Sequence, residues 1–157
     1  MRRLLLLAAA ASIAAALVAP AATAEKPIRE PVPGDDFTLP ASICGFEVAV
    51  EVLTNKEQAI TFSNGLTIVT GVLKVRVTNL ANTSKSLTLN ISGPGLFTSD
   101  GIRGTGSWLL FFLPGELGPG APGVLLNVKG SFRLEFGETF TLTDVRGTSL
   151  DLCQALG

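Results

Sequence analysis

The most constraining feature of this sequence is a long alternation of apolar and polar residues from Val124 to Phe136. Gly130 stands in phase with the apolar residues. Those residues all fall on even positions: Val124, Leu126, Val128, Phe132, Leu134 and Phe136. A period of two is typical of a β-strand with one buried face. A flat strand of this length would span about 40 Å, too long for a small domain, so we predict a sharp bend or bulge at Gly130.

Shorter alternating segments follow one another along the chain after Cys44. Phe46 to Val52 alternates, Lys56-Glu57 is a polar break, and Ser63-Asn64-Gly65 is a hairpin signal because Asn-Gly tolerates positive φ. No segment after the N-terminal region has the period of an amphipathic helix. Short strands with brief turns predict an all-β antiparallel meander. A small up-and-down β-barrel is the leading architecture, and a two-sheet β-sandwich is the alternative.

The N-terminal region has the organisation of a secretory signal peptide. Arg2 and Arg3 precede an apolar run from Leu4 to Val18, and Ala22-Thr23-Ala24 fits a small-x-small cleavage site. We therefore predict that residues 1–24 are removed and that the protein is secreted and extracellular. No later apolar stretch is long enough for a membrane span, so none is expected after cleavage.

The remaining chain divides into two regions. Residues 25–43 contain four prolines with little periodicity, which predicts an extended Pro-rich leader. Residues 44–157 are predicted to form a single all-β domain. The only two cysteines, Cys44 and Cys153, lie near its ends, and in an oxidising compartment such a pair indicates a disulfide. Since bonded Cα atoms lie within about 7 Å, we expect the first and last strands to be neighbours or to face each other.

Missing residue types exclude several chemistries. The chain has no His and no Tyr, which rules out Ser-His-Asp and Cys-His catalysis and histidine-ligated metals. We expect no metal and no cofactor. The chain carries 12 Lys and Arg against 13 Asp and Glu, with no basic cluster, so no nucleic acid is expected as a partner.

Carboxylates are the catalytic groups that remain. Glu47 and Glu51 share the polar face of one predicted strand, and Glu135 and Glu138 flank a turn. Paired acids could serve glycoside hydrolysis or proton transfer. The simpler interpretation is that they are solvated strand residues, paired at most with one of three cations: Lys74, Arg76 or Arg133.

One stretch departs from the alternation. It has six consecutive apolar residues: Trp108, Leu109, Leu110, Phe111, Phe112 and Leu113. An antiparallel strand with one wet face should alternate. Either the strand is covered on both sides, with Phe37 and Leu39 of the leader as the cover, or these residues form an exposed contact surface. Such a surface would serve an apolar ligand or a homo-oligomer.

Four motifs carry a resemblance to known proteins. CGF (44–46), SLTLNISGPG (86–95), GSWLLFFLPGELGPG (106–120) and DLC (151–153) resemble a group of uncharacterised secreted actinobacterial proteins. The resemblance implies a signal peptide, an all-β domain with two cysteines and an extracellular location. It brings no activity and no catalytic residues.

These features predict a secreted non-enzymatic β-domain that binds an apolar small molecule, an envelope component or a protein partner. The alternative is a cyclase- or isomerase-like barrel enzyme with an apolar cavity and a buried carboxylate, and a structural wall or matrix component is a third hypothesis. A closed cavity with one buried carboxylate favours the enzyme. A filled core with every carboxylate outside favours the binding domain.

Overall fold

The computed structural model describes residues 25–157, so the predicted signal peptide at residues 1–24 lies outside the described residues. The described range contains eleven strands and two short helices. In chain order they are β1 (Ile28–Pro31), β2 (Phe37–Leu39), α1 (Ala41–Cys44), β3 (Val48–Asn55), β4 (Gln58–Thr61), β5 (Thr67–Thr70), β6 (Leu73–Asn79), β7 (Ser86–Asn90), β8 (Gly95–Thr98), β9 (Gly101–Phe112), β10 (Val124–Glu135), β11 (Thr141–Asp151) and α2 (Leu152–Leu156).

The strands form two antiparallel sheets, which confirms the predicted all-β class. The larger sheet has seven strands in the order β1-β4-β5-β8-β9-β10-β11, and the smaller sheet has four in the order β2-β3-β6-β7. Strands β1 and β11 are the opposite edges of the larger sheet and do not pair. The sheet is therefore open, and the up-and-down barrel gives way to the two-sheet alternative. A single barrel cannot close here because strands that follow one another in the chain, such as β3 and β4 or β5 and β6, belong to different sheets.

The predicted leader belongs to the folded β-structure. Its first strand joins the larger sheet, with Ile28 opposite Thr61, and its second joins the smaller sheet, with Phe37 opposite Val50. Residues 32–36, which we call the crossing segment, connect the two. This segment is held by backbone hydrogen bonding, which the prolines around it do not prevent. The β-domain thus begins before Cys44, ahead of the predicted boundary.

The predicted disulfide between Cys44 and Cys153 is confirmed, with their Cα atoms 5.0 Å apart. It joins α1 to α2 rather than the first strand to the last. Both helices have about one turn, too short for a periodic signal in the sequence. Asp151 caps the N-terminus of α2, because its side-chain oxygen accepts a hydrogen bond from the Gln154 N–H.

The long strands curl sharply at Gly130, as the sequence predicts. Gly130 has φ +141° and lies opposite Gly106 on β9 and Gly147 on β11, which both also have positive φ. The rings of Phe112 and Phe140 are 6.0 Å apart, although Phe112 is opposite the first residue of β10 and Phe140 lies just past the residue opposite its last. A flat sheet would separate them by about 40 Å. The three long strands therefore bend until their two ends meet.

This curl produces two apolar cores on opposite faces of β9 and β10. The first core lies between the sheets and contains these buried residues: Leu39, Ile43, Val48, Val50, Val75, Val77, Leu125, Leu152 and Leu156. The second core fills the inside of the curl: Leu110, Phe112, Val128, Phe132 and Leu134. Because β9 passes between two cores, both of its faces can be apolar, which accounts for its lack of alternation.

Candidate functional site

The six apolar residues singled out by the sequence do not form one surface. Leu110 and Phe112 are buried in the second core, with 8% and 3% of their surface exposed. Trp108 and Leu109 are half-buried. Phe111 and Leu113 are exposed, at 44% and 39%. The stretch is therefore divided between the core and a partly open region beside it.

The leader contacts this strand at Phe37 but leaves Phe111 exposed. The ring of Phe37 is 6.0 Å from the ring of Phe111, with an interplanar angle of 41°. Leu39 lies deeper, in the first core. Phe37, on β2 of the smaller sheet, thus reaches across to β9 of the larger sheet, and space remains between the sheets next to this contact.

That space is an apolar cleft with two adjoining lobes. The Phe37 lobe has a volume of about 350 Å³ and is lined mainly by apolar side chains, among them Phe37, Val52 and Phe111. The Trp108 lobe has a volume of about 360 Å³, and its lining includes Val69, Phe97 and Trp108. Four residues line both lobes: Glu57, Leu73, Ile91 and Leu109. Volumes of this size are typical of small-molecule sites.

Hydrogen bonds at the ends of the strands fix the walls of the cleft. The backbone N–H of Leu73 donates to the Ser92 hydroxyl at 2.8 Å, and the N–H of Ile91 donates to the Leu73 carbonyl at 2.9 Å. These bonds fix the backbone that carries the Leu73 and Ile91 side chains, although Ile91 lies just beyond the end of β7. The cleft is therefore built on paired strands, which favours a preformed shape.

The crossing segment is fastened beside the mouth of the cleft. The Asn55 side-chain amide donates to the Val32 carbonyl at 2.9 Å, and the Val32 N–H donates to the Glu57 carbonyl at 3.0 Å. The Asp36 carboxylate accepts a hydrogen bond from the Val52 N–H at 2.7 Å. Because these bonds hold residues 32–36 against β3 and the turn after it, they place Glu57 next to the apolar walls.

The indole ring of Trp108 lines the Trp108 lobe, and its only polar group, the N–H, already has a hydrogen-bond acceptor. Its indole N–H donates to the Thr105 carbonyl at 3.0 Å. The ring centroid is 5.3 Å from that of Phe132 and 6.3 Å from that of Phe97. These contacts orient the ring. As the only Trp in a chain without Tyr, it is also a fluorescent reporter inside the candidate site.

Glu57 is the ionisable residue shared by the two lobes. Burial raises the pKa of its carboxyl group above the ordinary value. Within residues 25–157, no ion pair or side-chain hydrogen bond engages that carboxylate. No local sequence signal identifies this role, because an acid after Lys56 in a polar break is typical of a solvated turn. Its environment comes from the crossing segment and from residues distant in the chain.

Two of the carboxylates that the sequence singled out are paired as its simpler interpretation expects. Glu51 forms an ion pair with Arg76 at 2.9 Å, and Glu135 forms one with Arg133 at 2.9 Å. All four side chains are at least one-third exposed. Such pairs contribute little to stability, about 0–1 kcal/mol each. Neither pair lines the cleft, so the candidate site depends on Glu57 instead.

We expect Glu57→Gln to stabilise the protein near pH 7. Above the folded-state pKa, folding removes water from an ionised carboxylate, which costs free energy that the neutral amide does not lose. Near pH 3.5, below the ordinary Glu pKa of about 4.3, the carboxyl is mostly protonated in both states and most of the gain should be lost. Thermal unfolding of both proteins across this pH range measures the difference. A constant difference at every pH, or the same profile in the exposed control Glu47→Gln, would contradict the assignment.

No known protein family, curated protein or solved structure matches this chain. Across residues 25–157, no helix is long and apolar enough to cross a membrane. In the same range, no three His, Cys, Asp or Glu side chains lie close enough together to hold a metal ion.

Proposed function

We propose that this protein is a secreted, non-enzymatic β-domain that binds an apolar small molecule in the cleft between its sheets. The observation that carries the proposal is the pair of adjoining lobes, about 350 and 360 Å³, with mainly apolar walls. A ligand that covers these walls releases the water that they contact in the free protein, which favours binding. The predicted signal peptide and the disulfide support an extracellular location.

The shape of the surface favours a small molecule over a protein partner. The cleft is concave and lies between two sheets, so it can enclose most of a small apolar ligand. Other exposed apolar residues, such as Ile28, Leu80 and Val145, line neither lobe of the cleft. A lipid component of the cell envelope would use the same walls. Native mass spectrometry of the secreted protein would identify the bound molecule and any homo-oligomer together.

We expect the neutral apolar dye N-phenylnaphthylamine to bind at one site per chain, with a Kd in the micromolar range. Binding should increase the emission of the dye and quench Trp108 by energy transfer, because that ring lines one lobe. A fluorescence titration measures both signals. Binding that never saturates, or that leaves the Trp108 emission unchanged, would count against the proposed site.

A matched pair of variants locates the dye. Ile91→Phe places a larger ring in the wall shared by both lobes and should weaken dye binding about tenfold or more. Leu80→Phe adds a ring at a position that is 44% exposed and outside the cleft, so it should leave the Kd unchanged. Circular dichroism establishes that both variants fold. Equal dye affinity in the two folded variants would place the dye elsewhere.

The second candidate function is an isomerase- or cyclase-like enzyme. The observation that favours it is Glu57, since a carboxyl with a raised pKa beside apolar walls suits a general acid or base. The cleft is open at its mouth and Glu57 is half-buried, which differs from the closed cavity that such an enzyme would use. Mass spectrometry of culture lipids incubated with the protein and with Glu57→Gln separates the functions. A product that forms only with the unaltered protein supports the enzyme.

A further inference from the structure

The charged side chains around the cleft all have the same sign. Glu57 lines both lobes, and Asp35 from the crossing segment lines the Phe37 lobe. Within the described residues, no Lys or Arg lines either lobe. Lys56, the neighbour of Glu57 in the chain, is exposed at the surface. The cleft therefore combines apolar walls with negative charge that no cation of the lining balances.

We propose that the cleft selects cationic amphiphiles, with the apolar body of the ligand in the lobes and an ammonium group against the Glu57 carboxylate. The inference rests on the proposed binding function, because it names the class of molecule that the same cleft takes. Glu57 would then determine the specificity of the cleft, which its volume and apolar lining do not define.

Neutral, anionic and cationic ligands would each change the surroundings of the Glu57 carboxylate differently. A neutral apolar ligand would remove more water from a carboxylate that has no partner in the described residues, and this desolvation opposes binding. An anionic amphiphile would add repulsion between like charges. An ammonium group replaces the lost water with a charge-assisted hydrogen bond, which is stronger than a neutral one. The unpaired carboxylate thus favours cations and also disfavours the two competing classes.

The position of Glu57 suits this role. It lies where the two lobes adjoin, with Leu73, Ile91 and Leu109 also shared between them. A cation bound there has apolar walls on both sides, so an attached hydrocarbon chain can follow either lobe. Among residues 25–157, no Lys or Arg forms an ion pair with the Glu57 carboxylate. The ligand would supply the missing positive charge.

The test compares three ligands that share one hydrocarbon chain: decylammonium, decanol and decanoate. Each displaces N-phenylnaphthylamine from the full chain near pH 7, at concentrations below those that form micelles. We expect decylammonium to bind about tenfold more tightly than decanol, and decanoate to bind most weakly. In Glu57→Gln the preference for decylammonium over decanol should disappear. Glu47→Gln removes the same charge from an exposed site away from the cleft and should retain the preference.

The outcomes separate this inference from the proposed function. If all three ligands displace the dye equally, or if the preference survives in Glu57→Gln, charge selection by Glu57 is wrong and the binding function stands. Loss of the preference in Glu47→Gln as well would show that net charge, rather than Glu57, attracts the cation, and would also overturn the inference. If none of the ligands displaces the dye, the binding function itself fails. Thermal unfolding of both variants establishes that they are folded.

Discussion

Replacing Gly130 by alanine is expected to lower the free energy of unfolding by about 3–5 kcal/mol, from backbone strain and steric overlap together. Gly130 has φ +141°, a conformation that L side chains rarely adopt. An added Cβ would also overlap the carbonyl oxygen of Arg146 on the neighbouring strand. Since β10 is paired on both sides at this point, neither neighbour can move without breaking the curl. Urea unfolding followed by circular dichroism measures the loss.

Gly118→Ala is the matched control for the strain at Gly130. Gly118 also has positive φ, +124°, but an added Cβ there would meet no atom within 4 Å. Its substitution should cost only the backbone strain, about 1–2 kcal/mol. The difference in the free energy of unfolding between the two variants measures the cost of the steric overlap at Gly130. If Gly130→Ala costs no more than Gly118→Ala, the close approach of the strands at Gly130 is wrong.

Removing the disulfide is expected to lower the free energy of unfolding by about as much as Gly130→Ala does. The bond joins residues 109 apart in the sequence, and a closure of this length restricts the unfolded chain by about 4–5 kcal/mol in the chain-entropy account. The double variant Cys44→Ala/Cys153→Ala should therefore unfold at a much lower denaturant concentration. Helix α2 keeps Leu152 and Leu156 in the first core, so the folded variant should retain its secondary structure.

A reductant provides the control for the disulfide prediction. Reduction should lower the stability of the unaltered protein to about that of the double variant and should leave the variant itself unchanged. Dye binding in the absence of denaturant should survive in both, because neither cysteine lines the cleft. A loss below about 1 kcal/mol on removing the bond would show that the unfolded chain is already compact.

Local patterns predicted much of the secondary structure. The valines of β3 alternate as a strand with one buried face requires, and Val48 and Val50 are each 1% exposed. The Asn64-Gly65 signal lies in the turn between β4 and β5, where the Phe62 N–H donates to the Leu66 carbonyl at 2.9 Å. The in-phase Gly130 identified the bend. In each case the information lies within a few residues of the feature that it determines.

The candidate site was less accessible to sequence reasoning. The apolar run at Trp108 drew attention to the correct strand, since Trp108, Leu109 and Phe111 all line the cleft. Nothing in the sequence around Glu57 distinguishes it from a solvated acid. Its special environment arises from the crossing segment, which lies more than twenty residues earlier at Val32 and is fastened by Asn55.

By itself, the sequence determined that this chain forms antiparallel strands, bends at Gly130 and can close a disulfide. These properties follow from side-chain periodicity, from the φ range open to glycine and from cysteine chemistry. The tertiary structure alone decided how the strands divide between two sheets, and therefore that an open sandwich with a cleft forms in place of a barrel. Alternation states that one face of a strand is buried, but it does not state which sheet covers that face. For the same reason, the sequence does not predict the environment of Glu57, which forms only when both sheets have packed.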